Sequence, residues 1–171
     1  MYCITNRPDG RVNNRNGTGM SSEVAREGPR NSRAVDAALF DWPASEPALK
    51  ASRCLECRML AFPAATSCRS CGAVAVVQER LPRRGRLWAW TIQRFMPKAP
   101  YRSSETEASF TPFGLGYVEL PGALCIESRL TENDPRKLRI GLEMELVIYP
   151  QWCEDDGTAV MSFAFRPVAP S

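Results

Sequence analysis

Apolar and polar residues alternate over much of the second half of the chain, and a period of two predicts half-buried strands. Trp88, Trp90 and Ile92 share one face of a first strand. Residues 114–120 and 123–130, joined at Pro121 and Gly122, read as a hairpin, because proline and glycine suit a tight turn. Leu142, Met144, Leu146 and Ile148 oppose Glu143 and Glu145 on a fourth strand, and Ala159, Met161, Phe163 and Phe165 line a fifth. Between the third and fourth strands Asp134 can cap a single helical turn, Pro135 suits its first position and Gly141 can end it. Five strands with that insertion predict a mainly β protein built on a five-stranded Greek-key barrel of the OB type.

Upstream the pattern changes. Residues 1–32 hold few large apolar side chains and neither period, so they predict a disordered or partner-ordered tail. Val35, Ala38, Leu39 and Trp42 fall at roughly helical spacing, with Asn31 or Ser32 as a cap and Pro43 as a stop, which predicts a helical lead-in over 33–48. Residues 49–80 enclose two cysteine pairs between short apolar runs at Leu49 and at Val74, Val76 and Val77, and 81–171 form the barrel. The segment between Phe95 and Gly114 has three prolines and little periodicity, as functional loops often do.

The pairs are Cys54-x-x-Cys57 and Cys68-x-x-Cys71, ten residues apart. Two intervening residues let both thiolates of a pair face one ion while the turn's amides bond the sulfurs, and four thiolates satisfy tetrahedral zinc. Iron can use the same ligands in a rubredoxin-like site, but nothing in the chain points to an electron-transfer partner. Protein fills all four positions, so such a zinc is structural.

Charge and composition narrow the function. The chain has no histidine, which removes the usual general base and the usual catalytic-zinc ligand. Glu105, Glu107 and Asp134 are scattered and make no constellation for a stand-alone hydrolase. A net charge of +3 is modest for a protein that must neutralise many phosphates. Zinc ribbons and OB barrels do bind single-stranded nucleic acid, and that is the alternative function. The hairpin carries Glu119 and Glu127 against only Arg129, so its face is not basic. No stretch is long and apolar enough to span a bilayer, and the cytoplasm is the expected compartment.

Several motifs in order resemble the domain of unknown function 35 family, rubredoxin-like zinc-ribbon and OB-fold proteins associated with acyl-CoA metabolism. They are Arg53-Cys54-Leu55-Glu56-Cys57, Phe62-Pro63, Cys68-Arg69-Ser70-Cys71-Gly72 and Arg84-Gly85-Arg86-Leu87-Trp88. Gly116-Tyr117-Val118-Glu119-Leu120-Pro121-Gly122, Leu138-Arg139-Ile140-Gly141 and Phe163-Ala164-Phe165-Arg166-Pro167 complete the set. Arg58 stands where the family often has glycine. The resemblance implies a non-catalytic subunit that assembles with a thiolase-fold enzyme, or sometimes an enoyl-CoA hydratase, and helps to hold acyl-CoA. The partner would supply the catalytic cysteine and histidine. Arg83, Arg84, Arg86, Arg94, Lys98 and Arg102 are then the candidates for CoA phosphates, since cationic side chains, guanidinium above all, match phosphate. Trp88, Trp90, Trp152 and Tyr101 suit packing or an interface better than adenine stacking.

Overall fold

The computed structural model describes residues 31–169, so the tail expected over 1–32 lies almost wholly outside the described residues. Nine strands follow in chain order: β1 Ser32–Ala34, β2 Lys50–Cys54, β3 Leu60–Ala61, β4 Val76–Arg80, β5 Arg84–Gln93, β6 Phe113–Glu119, β7 Cys125–Leu130, β8 Glu143–Cys153 and β9 Ala159–Pro167. β5 through β9 close on themselves in the order β5-β6-β7-β9-β8, with β8 returning to β5. Only the β7–β9 pairing within this ring is parallel. That is the OB-like barrel the alternation predicts.

Closure depends on backbones that approach closely at Gly85, opposite Met144 of β8: a Cβ there would lie 2.3 Å from the Glu119 carbonyl oxygen. Inside the barrel Leu87, Val118, Ile126, Leu130, Met144, Leu146 and Phe165 are buried. The alternation of β5 fails at one point. Ladder pairing jumps from Leu87 opposite Val118 to Ala89 opposite Tyr117, which leaves Trp88 as the extra residue of a bulge. Before the bulge Gly85 and Leu87 point inward; after it Trp90 and Ile92 pack on the core. Trp88 is therefore turned out, 60% exposed, edge-on to Tyr117, instead of sharing the face of Trp90 and Ile92.

The helix expected over 33–48 does not form, and among the described residues there is no helix. Its apolar residues are claimed by different neighbours instead of one face. β1 runs parallel to β9, Val35 N–H donates to the Met161 carbonyl, and Trp42 Nε1 donates to Ser32 Oγ at 3.1 Å. Asp36 caps a turn through the Ala38 amide, and Phe40 then bridges Leu49, both fully buried. The insertion before β8 is likewise one hydrogen-bonded turn, with Asp134 accepting the Arg136 amide at 3.0 Å.

β3, β2 and β4 form a separate antiparallel sheet. Ala51, Leu60 and Leu81 join Phe40 and Leu49 in the same hydrophobic cluster as the barrel, so the small sheet rests on the large one. Phe163 of β9 meets Phe40 and Phe62 edge-on, with ring centroids 6.2 and 5.9 Å away.

Candidate metal centre and ligand face

Two hairpin turns bring the four cysteines together, and their backbones repeat each other. In the first, Arg58 N–H donates to the Cys54 carbonyl and Cys54 N–H to that of Met59; in the second, Gly72 N–H donates to the Cys68 carbonyl and Cys68 N–H to that of Ala73. Leu55 N–H reaches the Ala75 carbonyl and ties one turn to the other. The fifth residue of each turn is left-handed, Gly72 at φ 76° and Arg58 at φ 65°. A side chain at that φ is strained by about 1–2 kcal/mol. Arg53 supports the strained turn: it donates to the Arg58 carbonyl at 3.0 Å and grips Glu79 of β4 with two bonds, which holds that carboxyl below its usual range. Arg58→Gly should therefore stabilise the protein by about 0.5–1 kcal/mol, the relieved strain less the extra freedom of an unfolded glycine. Urea unfolding checks this, and an unchanged or lower midpoint would show that the turn is not strained.

The sulfurs of Cys54 and Cys71 are 3.7 Å apart and those of Cys57 and Cys68 3.5 Å apart, and all four lie within 4.8 Å of one another. A tetrahedral zinc with bonds of about 2.3 Å needs sulfurs about 3.8 Å apart, so the donor set fits. Cys54 and Cys68 are buried while Cys57 and Cys71 sit at the surface. The amides of Cys71 and Ser70 pull the Cys68 thiol down to about 6. The Met59 amide acts the same way on Cys57, but Cys68, Cys71, burial and Cys54 outweigh it and push that thiol up to about 12. One negative charge enters this cluster easily and the next does not, which is the electrostatics a divalent cation would resolve.

The six basic candidates do not gather. Arg84 and Arg86 stand directly opposite Glu145 and Glu143 of β8, with ion pairs of 3.7 and 3.8 Å. Arg83 turns toward the Leu146 carbonyl, and its Nε is buried without a hydrogen-bond partner among the described residues. Arg94, Lys98 and Arg102 lie past the other end of β5, ten residues or on the order of 30 Å away. All three are exposed and, among the described residues, none has a carboxylate within salt-bridge distance, although Arg102 borders a cavity edged by Glu154, Asp155 and Asp156.

A cluster the sequence did not suggest lies on the outer face of β6, β7, β9 and β8, beneath the 94–112 loop. The Arg129 guanidinium sits 4.2 Å from the centre of the Phe113 ring and 5.6 Å from that of Tyr149. Tyr101 from the loop stacks on Phe113 at 6.4 Å. The outer face of the hairpin itself presents Tyr117, whose hydroxyl donates to Glu127 at 2.8 Å, and Glu119.

A four-cysteine sheet seated on an OB-like barrel defines the class of protein. Residues 78–148 match the family model described as ChsH2, C-terminal OB-fold domain. The chain is 32% identical over 132 residues, 76% of its length and 85% of the relative's, to the benzoylsuccinyl-CoA thiolase subunit BbsA of Thauera aromatica. It is 26% identical to a DUF35 domain-containing scaffold protein of Pyrococcus furiosus, over 66% of this chain and 78% of that one. In structure it is similar to the Ltp2-ChsH2(DUF35) aldolase, with a TM-score of 0.52 at 20% identity over 71% of this chain and 86% of that one. The chain belongs to the DUF35 OB-fold family.

Proposed function

We propose that the chain is a non-catalytic accessory subunit of a thiolase-like enzyme, a thiolase or a retro-aldolase, that stabilises its partner and helps to hold the acyl-CoA. The likeness to a benzoylsuccinyl-CoA thiolase subunit over 85% of that protein's length carries the reading. The chemistry of the chain agrees with it. With no histidine, carbon–carbon bond cleavage or formation falls to the partner's side chains.

Cys54, Cys57, Cys68 and Cys71 would hold a structural zinc, which supplies folding energy and no open coordination position. Around it Leu55, Met59 and Val74 are exposed, apolar side chains suited to docking on another chain. Among the basic candidates Arg94 and Lys98 suit the CoA phosphates best, being exposed and, among the described residues, without an ion pair, whereas Arg84 and Arg86 stand 3.7 and 3.8 Å from Glu145 and Glu143.

The test is co-expression with the thiolase-fold enzyme encoded beside it, followed by acyl-CoA cleavage assays with and without this chain. The pair should co-purify, and the partner alone should lose most of its activity. A partner fully active by itself would overturn the proposal.

A further inference from the structure

Arg129 is half-buried on the outer barrel face, and among the described residues no carboxylate lies within salt-bridge distance of it. Its charge is held by rings instead. The strand register shows how. Arg129 stands opposite Ala164 of β9, and Tyr149 of β8 stands opposite Ser162, so the small Ala164 leaves room for guanidinium and phenol to converge above it. Glu127, the carboxylate closest along β7, is engaged by the Tyr117 hydroxyl.

A cavity of about 340 Å³ opens here, walled by Tyr101, Phe113, Glu127, Arg129, Tyr149 and Ser162 among others. The Tyr101 hydroxyl is buried and has no hydrogen-bond partner among the described residues. An unpaired buried hydroxyl and a cation without an anion are each costly alone. Together they give the pocket unspent donors, while its one lining carboxylate, Glu127, is engaged by the Tyr117 hydroxyl. Burial raises the Tyr149 phenol above its ordinary value against the pull of Arg129, so Tyr149 stays protonated and able to donate at neutral pH.

We propose that this cavity is an oxyanion-binding site, in which Arg129 and the hydroxyls of Tyr101, Tyr149 and Ser162 receive a carboxylate or phosphate group of the bound acyl-CoA. The identity of the ligand rests on the proposed function; the site itself rests on the geometry. A phosphate would come from the CoA moiety and a carboxylate from the acyl chain. The aromatic walls suit the apolar atoms that carry either group.

Two measurements on the full chain separate the site from the ligand. In the first, inorganic phosphate and succinate are titrated while the Arg129 Nε–H resonance is followed, assigned by its loss in Arg129→Gln. A saturable shift with either anion supports the site, and no shift with both overturns it whatever becomes of acyl-CoA. In the second, binding of CoA against 3′-dephospho-CoA, and of succinyl-CoA against butyryl-CoA, is compared in wild type and variants. Wild type should prefer the anionic member of one pair by about tenfold or more, the worth of one charge-assisted bond. Arg129→Gln should abolish that preference and leave the other pair unchanged. Tyr101→Phe should weaken the preferred ligand several-fold without lowering the melting temperature, which a merely structural hydroxyl would not do. Equal ratios in wild type and Arg129→Gln would overturn the proposal, and failure of all four ligands to bind, with the Nε–H shift intact, would overturn only their identification as acyl-CoA.

Discussion

If the four cysteines hold zinc as proposed, replacing Cys68 with serine, or stripping that metal from the wild-type chain, should unfold the cysteine-bearing sheet while the barrel stays closed. Three strands of five, two and five residues bury little besides Ala51, Ser52, Cys54 and Leu60, too little apolar surface to hold two turns in place, one of them strained at Arg58. In small modules zinc supplies on the order of 10 kcal/mol of folding free energy. That figure is an upper bound here, because the sheet also rests on the barrel's core. Cys68 is the most telling position: it is buried, its sulfur accepts the Ser70 amide at 3.4 Å, and it lies 3.5 Å from Cys57. Hydrogen exchange checks the outcome. Amides of 50–80 should lose protection on chelation or in Cys68→Ser, those of 84–167 should keep it, and the bound metal should fall from one ion per chain to none. Because thiol protons compete with the metal, loss should come at lower chelator concentration as the pH falls. A sheet equally protected with and without metal would remove the brace from the proposed function.

What could be read from the chain follows from how local each feature is. The cysteine pairs are legible because each turn carries its own ligands at fixed spacing, and strands β6 to β8 because more and less buried residues alternate along them, whereas β9 is covered on both faces. The helix does not form because Val35, Leu39 and Trp42 mimic a stripe by spacing alone, while their partners are Met161, Lys50 and Ser32, none within helical reach and the first in a distant strand. Trp88 was misplaced for a related reason: a bulge is a property of register against β6 and leaves no mark in the alternation of β5. That Arg84 and Arg86 stand opposite Glu145 and Glu143 is likewise a matter of register with β8 and leaves no mark in the sequence around them. The Arg129 cluster was invisible for the same cause, since its members come from a loop and four strands that only barrel closure assembles.

Phe163→Ala should cost about 3 kcal/mol and separate the two sheets. Phe163 shares the parity of Met161 and Phe165 on β9 but lies where barrel, lead-in segment and cysteine-bearing sheet meet. Truncating a fully buried phenylalanine costs about 3–5 kcal/mol, and a half-buried one less. This ring also makes edge-to-face pairs with Phe40 and Phe62, each worth about 0.5–1.5 kcal/mol beyond area. For a domain of this size the sum corresponds to a fall of roughly 6–12 °C in melting temperature. Phe163→Leu, which keeps most of the volume, should lose under about 1.5 kcal/mol. Location distinguishes the loss from ordinary core damage. Phe165→Ala, inside the barrel, should lower the stability of both sheets together, whereas Phe163→Ala should loosen Phe40 and Phe62 first and expose 50–80 to exchange before the barrel melts. If the two variants lose protection in the same order, Phe163 is one more core side chain. If the 50–80 segment opens alone, the orientation of the metal centre on the barrel is set by three phenylalanine rings and can be tuned without touching a cysteine.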